Sequence, residues 1–285
     1  MKKRLVLQIL LLLAAIQVFA YSFESGGVYY NITSTTNMTA EVTYYSQTKN
    51  KYTGMVGIPG TVTYNGKTYT VVGIGSYAFV GCTNLTGVNF TSKLITYIGE
   101  RAFSGCNGMT SFSFPDWITS VGNYAFAGCY GITNISFVET ANTIWLGYGS
   151  SKGSAHGLFE DCQLTSVQIN RPLNYYIDSK YGYSPFANQT NLKSITFGKE
   201  VTSIPGNVFY GNNSISSYTV PSHITGLNNY AFAGFGAKTI TLNEKTEAIS
   251  NYCFSGCKNL TSISIPKAVT LIGEGAFQNS VFRDL

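Results

Sequence analysis

One repeated phrase constrains the fold of this chain more than any other feature. Gly-x-x-Ala-Phe-x-Gly-Cys occurs at residues 75–82, 99–106 and 122–129, and looser versions follow. With its phenylalanine as an anchor, the series runs Phe79, Phe103, Phe126, Phe159, Phe186, Phe209, Phe232, Phe254 and Phe277. A unit of about 23 residues cannot bury its apolar side alone, so neighbouring units must stack to form a core.

A short strand-like phrase follows the first eight anchors. Two apolar residues in each phrase are separated by a polar one, as in Val88/Phe90, Phe112/Phe114, Ile135/Phe137, Val167/Ile169, Ile195/Phe197, Tyr218/Val220, Ile240/Leu242 and Ile263/Ile265. Period-two alternation is typical of a strand with one buried face. Five residues before most anchors lies an aliphatic residue: Ile74, Ile98, Val121, Ile204, Leu227, Ile249 or Ile272. We predict a solenoid of stacked coils with short parallel strands on one face and turns on the other.

The repeat resembles a known family. The segment ITYIGERAFSGCNGMTSFSFP, residues 95–115, is similar to the BspA-like leucine-rich repeats of bacterial surface proteins, and the likeness extends over about residues 71–285. The resemblance implies a leucine-rich-repeat solenoid of about nine coils. It also implies an exported or surface-displayed protein of adhesion or binding, without catalytic activity and without a cofactor.

The N-terminal region is expected to contain two further segments. Residues 1–20 combine a basic start, a 15-residue apolar run and the ending Val-Phe-Ala, which is typical of a secretory signal peptide. A membrane-spanning helix needs about 20 apolar residues, so no membrane insertion is expected after cleavage. Residues 21–70 do not repeat, and Asn65-Gly66 indicates a hairpin turn. We interpret them as an antiparallel β cap over the first coil.

A protein with such a signal peptide is expected to be extracellular or on the cell surface, with the periplasm as an alternative. Residues 1–20 contain three basic residues and no acidic ones, so the remainder has a net charge of only +2. A nucleic-acid partner would require a clustered basic face, and none is evident.

The cysteines are interpreted as core residues. Five of the six stand three residues after an anchor, where other copies have Gln189, Asn212, Phe235 or Ser280. That mixture suits a side chain turned inward and bonded to nearby backbone, so reduced thiols are favoured. Bridges between successive coils stay an alternative. Zinc is disfavoured because Cys253 and Cys257 have no second pair, and no catalytic motif is present.

The longest spacings between anchors mark two insertions, near residues 138–158 and 170–185. Both follow a strand in consecutive coils, so we expect them side by side on one face, where such insertions commonly bind partners. They supply residues of the types that dominate interfaces: Trp145, Tyr148, Arg171, Tyr175, Tyr176, Tyr181 and Tyr183. The partner would be an extracellular protein or, alternatively, a glycan stacked on these rings. Equally, the rings could form a small core within the loops.

Overall fold

The computed structural model describes residues 21–46, 51–148, 157–176 and 184–281. Every long regular element in these ranges is a β-strand. Within the same ranges no helix is long and apolar enough to cross a membrane. The strands build a stack of parallel coils preceded by a mixed β cap.

The cap contains six strands: β1 (Phe23–Ser25), β2 (Val28–Ser34), β3 (Thr39–Thr43), β4 (Gly54–Ile58), β5 (Thr61–Tyr64) and β6 (Lys67–Ile74). Strands β1, β2 and β3 pair antiparallel, as do β5 and β6. Asn65 and Gly66 join the second pair with φ angles of 50° and 73°. Two positive φ angles match the twist of a two-residue hairpin, which confirms the predicted turn. Parallel pairing of β3 with β6 unites the two antiparallel units.

One parallel ladder, here the first ladder, is formed by the predicted strand phrases. Its members are β7 (Leu85–Phe90), β9 (Ser111–Phe114), β11 (Asn134–Phe137), β13 (Ser166–Ile169), β15 (Ser194–Phe197), β17 (Ser217–Thr219) and β19 (Thr239–Thr241). Cap strand β4 pairs with β7 and so extends this ladder into the cap. In β9 the burial alternates as predicted, because Phe112 and Phe114 point inward while Ser111 and Ser113 are exposed.

A second ladder runs along another side of the coils, where the sequence had indicated turns only. Its members are β8 (Tyr97–Ile98), β10 (Ser120–Gly122), β12 (Ile144–Tyr148) and β14 (Leu173–Asn174) in one sheet, and β16 (Ser203–Ile204), β18 (Gly226–Leu227), β20 (Ala248–Ile249) and β21 (Leu271–Ile272) in another, with no pairing between β14 and β16. The ladder carries the aliphatic column that precedes each anchor, and β6 begins it by pairing with β8. Prediction of strands on a single face was therefore wrong, because two-residue strands are too short to show alternation.

The core is a column of stacked rings. The anchors Phe79, Phe103 and Phe126 lie with successive ring centroids 5.1 Å apart and interplanar angles of 7° and 14°. At the N-terminal end the ring of Tyr52 lies 4.6 Å from that of Phe79. This cap residue therefore covers the first anchor as another coil would, and removes its face from water.

The turn beside each anchor requires left-handed backbone. The glycine two residues after the anchor has a positive φ in six copies, for example Gly128 at 71°. Where the repeat departs from glycine, Asp161, Asn188 and Asn279 adopt φ angles of 60° or 61° at the same place. Asparagine and aspartate tolerate this conformation better than most residues with a side chain, which favours them as replacements for the glycine. Two residues before the anchor, Tyr77 and Arg101 also adopt positive φ angles, of 62° and 52°.

Gly128 permits a test of this explanation. A Cβ added to it would meet backbone no closer than 3.7 Å, so a substitution is strained by its φ angle and not by a clash. We expect Gly128→Ala to lower the free energy of unfolding by about 1–2 kcal/mol, and Gly128→Asn to cost about half as much or less. Urea denaturation measures both; equal losses would contradict the explanation.

Candidate functional site

The structure defines where the two insertions leave the coil. Leu146 pairs with Val121 in the second ladder, so it occupies the aliphatic column. It precedes its anchor by 13 residues, whereas Val121 precedes Phe126 by five. Residues 144–148 are therefore regular strand, and the additional residues come after it. Ile144 pairs with Leu173, so the second insertion likewise begins after strand β14.

Two exposed aromatic side chains lie where both insertions depart. Trp145 faces outward from β12, opposite Ser120 on one side and Asn174 on the other. Its side chain is 37% exposed, and that of Tyr176 is 51% exposed. Their ring centroids are 6.2 Å apart with an interplanar angle of 58°. We call this arrangement the Trp145–Tyr176 pair; it is an apolar surface held on a backbone that the ladder fixes.

A groove of about 440 Å³ with both polar and apolar lining lies along the same ladder, next to this pair. Ser120, the strand partner of Trp145, lies in its lining together with Tyr97 and Glu100. The Tyr97 hydroxyl donates to Glu41 Oε2 at 2.6 Å, which ties this groove to the cap. The second ladder thus presents aromatic and polar groups side by side, a combination found at binding surfaces.

Two of the predicted contact residues are not at the surface. Arg171 and Tyr175 are buried, and the Tyr175 hydroxyl donates to the carbonyl of Gly206 at 2.8 Å. Continuing the pairing of β12 with β14 by one residue sets Tyr175 opposite Leu146, in the aliphatic column. Prediction of these two as exposed partner contacts was therefore wrong; both belong to the interior of the coils and not to a small core within the loops. The Tyr148 side chain, Tyr181 and Tyr183 lie outside the described residues.

Arg171 fastens three coils together. Its Nε donates to the carbonyl of Asn142 at 2.8 Å, and its Nη1 donates to those of Pro115 and Ile118 at 3.1 Å each. Burial lowers the pKa of the guanidinium, and the charge of Asp116 opposes that shift. A carbonyl cluster of this kind stabilises a cation without a paired carboxylate.

Asn243 makes the same kind of contact, but it reaches back only one coil. Its Nδ2 donates to the carbonyls of Pro221 and Ile224, in the coil immediately before, at 2.7 and 2.8 Å. Arg171 must instead reach back two coils, past Asn142, and therefore needs a longer side chain. Arg171 stands two residues after the inward Ile169, whereas Asn243 stands one residue after the equivalent Leu242, so the repeat pattern did not indicate that the two make the same contact.

The cysteine column forms a ladder of hydrogen bonds to the anchors. Cys106 Sγ donates to the carbonyl of Phe79, and Cys129 Sγ to that of Phe103, each at 3.0 Å. Cys257 repeats the contact with Phe232, and Gln189 Nε2 replaces it with Phe159. All six cysteines are buried and free, so the prediction of inward thiols bonded to backbone is confirmed.

The thiols are consequently unreactive. Burial raises the pKa of Cys129 and that of Cys257 to about 12 each, and raises the pKa of the other four thiols. Since the thiolate is the nucleophile, we expect none of the six to react with Ellman's reagent within minutes at pH 8 in native protein. All six should react after denaturation. Rapid reaction of a native thiol would contradict its buried position.

The described residues contain no group of three or more His, Cys, Asp or Glu side chains that could hold a metal ion.

The repeats match a family model described as the BspA type leucine rich repeat region, in six copies over residues 65–181 and 179–285. The chain belongs to this family. BspA type repeats are generally non-enzymatic, are typical of cell-surface proteins and indicate protein binding. No curated protein matches the chain.

Solved structures of bacterial leucine-rich repeat proteins resemble this chain at low identity. One from Bacteroides ovatus is 18% identical, with 91% of this chain and 92% of that chain covered and a TM-score of 0.38. A leucine rich cell surface protein from Faecalibacterium prausnitzii is 18% identical, with coverages of 90% and 85% and a TM-score of 0.37. The T. pallidum leucine rich repeat protein is 17% identical, with coverages of 89% and 86% and a TM-score of 0.34.

Proposed function

We propose that this BspA type repeat protein is exported and acts outside the cell as a non-catalytic binding protein. It engages an extracellular macromolecule, most readily a protein, through the Trp145–Tyr176 pair and the insertions that begin beside it. The observation that carries the proposal is the exposure of two large aromatic rings, 6.2 Å apart, one on strand β12 and the other just after strand β14, at the point where the repeat is interrupted.

The chemistry of the pair supports a protein partner. Tryptophan and tyrosine bury a large area at a small cost in side-chain entropy, and they dominate interface hot spots. Hydrogen bonding fixes the backbone of Trp145, whose N–H donates to the Thr119 carbonyl at 2.9 Å. The rings are tilted by 58°, so they do not form one flat platform for a sugar. A glycan partner would have to stack on a single ring.

Alanine at both Trp145 and Tyr176 tests the proposal. The chain from residue 21 onward, immobilised, is probed with a panel of extracellular matrix proteins and with a glycan array. We expect selective binding of a protein by the parent chain and at least about tenfold weaker binding by the double variant. The matched control is Tyr77→Ala/Tyr130→Ala, which removes two exposed aromatic rings beside the anchors and should bind normally.

Three results would contradict the proposal. One is unchanged binding in the Trp145/Tyr176 variant, and another is equal loss in the control. The third is a glycan-array signal that Trp145→Ala abolishes while no protein binds, which would make the partner a sugar. Circular dichroism of each variant shows that a loss of binding is not a loss of fold.

A further inference from the structure

The first ladder is interrupted at two places within the described residues. Strand β7 pairs with β4 and β9 pairs with β11, but no backbone hydrogen bond joins β7 to β9. Likewise β15 pairs with β13 and β17 pairs with β19, while β15 and β17 are not joined. Two strand edges therefore face each other across each interruption, and each edge has backbone N–H and C=O groups without a ladder partner.

Both interruptions coincide with one departure from the repeat. The first inward residue of the strand is Val88, Ile135, Val167, Ile195 or Ile240 in the other strands of the ladder, but it is Phe112 in β9 and Tyr218 in β17. Beyond β19 the ladder ends at a coil with Ile263, where Ser262 forms only a single bridge. The Phe112 ring packs 4.8 Å from that of Phe126, and the Tyr218 ring packs 4.7 Å from that of Phe209. A ring in place of an aliphatic side chain needs more room, which holds the strand away from the preceding coil.

The interruption between β7 and β9 is an apolar groove of about 410 Å³. Met55, Trp117 and Val138 border it, and Val88, Phe90 and Phe112 also contribute to its lining. Met55 is 65% exposed, and Val138 is exposed as well. At the centre of β7, Gly87 is buried beneath Met55, whose side chain would lie 3.0 Å from a Cβ added to the glycine. The groove thus combines apolar walls with strand edges that have no ladder partner.

We propose that this groove accepts an extended peptide segment of a partner protein, which inserts between β7 and β9 and hydrogen-bonds to both strand edges. Addition of a strand to an open edge is a general mode of peptide recognition, in which backbone bonds supply affinity and side-chain pockets supply specificity. The apolar walls favour a segment with alternating apolar side chains. The second interruption is lined by Phe197, Ile215 and Tyr218 together with Lys193, Ser194 and Thr196, so its lining is more polar than that of the first.

This proposal concerns the first ladder, so it is independent of the Trp145–Tyr176 pair on the second. The probe is a fluorescein-labelled peptide with the sequence of residues 131–138 and a two-lysine tail for solubility. Strand β11, which that sequence contains, already pairs with the other edge of β9, so its side chains suit this ladder. Fluorescence anisotropy should show saturable binding to the parent chain. The same peptide with alternate N-methylated residues should bind at least about tenfold more weakly.

Two variants locate the site. Phe112→Val restores the usual column residue and should close the groove, and Met55→Glu places a charge on its exposed border without touching the core. Each should weaken binding at least about tenfold. Tyr218→Val, the matched change at the other interruption, should leave binding within about twofold, as should Trp145→Ala.

Four outcomes would overturn the proposal. They are no binding to the parent chain, equal affinity for the N-methylated peptide, unchanged affinity in both Phe112→Val and Met55→Glu, and loss in Tyr218→Val alone. Thermal melts distinguish closure of the groove from unfolding in Phe112→Val.

Discussion

Arg171→Ala is expected to lower the free energy of unfolding by about 3–5 kcal/mol, because truncating a large buried side chain costs about 2–5 kcal/mol and each buried carbonyl left without a donor costs about 1–3 kcal/mol. The substitution leaves the carbonyls of Pro115, Ile118 and Asn142 buried without their donor, and it also opens a cavity. Three coils lose their common contact at once. Urea denaturation followed by circular dichroism measures the change as a shift in midpoint.

Arg101→Ala is the matched control. This arginine is partly exposed, with its guanidinium carbon 4.5 Å from the Tyr124 ring centroid, and its loss should cost about 1 kcal/mol or less. Arg171→Met separates packing from hydrogen bonding, because it keeps most of the aliphatic stem and none of the donors. If Arg171→Ala is no more destabilising than Arg101→Ala, the three-coil contact does not contribute to stability.

Alkaline pH should destabilise the protein in part through its thiols, beside buried tyrosines such as Tyr30 whose pKa is also raised. In the native state the pKa of Cys129 and that of Cys257 are about 12, against an ordinary 9.0. The unfolded chain therefore loses these protons first as pH rises. Stability from the raised pKa is fully present below about pH 9 and disappears between about pH 9 and 12. At pH 10.5 each of these thiols lowers the free energy of unfolding by about 2 kcal/mol relative to neutral pH, so the two together lower it by about 4 kcal/mol.

Serine at both positions provides the comparison. Ser280 occupies the same column and donates to the Phe254 carbonyl at 2.5 Å, so a hydroxyl can make this contact. Urea midpoints of the parent and of Cys129→Ser/Cys257→Ser are measured from pH 7 to 11. Because serine does not titrate there, the slope of stability against pH should be smaller by about two protons in the variant. Equal slopes would show that these thiols do not govern alkaline unfolding.

Much of the fold could be predicted from the repeat, because every coil has the same sequence pattern of anchor, glycine and strand phrase. Aligned anchors predict the ring stack, and the glycine column predicts the left-handed turn that Gly128 adopts. The hairpin at Asn65-Gly66 follows from local turn chemistry alone. The second ladder was missed since its strands are mostly two or three residues long and show no period.

The candidate site was predictable only in part. Residue type singled out Trp145 and Tyr176, which are exposed, but type alone could not separate them from Arg171, which is buried. The pairing of the strands decides which side chains face inward. In a regular coil the inward position is found by counting five residues back from the anchor, as from Phe126 to Val121, but an insertion between strand and anchor breaks this spacing. The column departures at Phe112 and Tyr218 were visible in the sequence, but their consequence depends on how far a ring displaces a strand.

Hydrogen–deuterium exchange on the protein alone and bound to the partner found on the matrix panel tests the proposed binding surface most directly. We predict slowed exchange in peptides that cover residues 119–122, 144–148 and 173–176, where the second ladder presents the Trp145–Tyr176 pair. Residues 134–137 and 166–169 of the first ladder should exchange as before. Protection confined to the first ladder or to the cap would contradict the assignment of this surface.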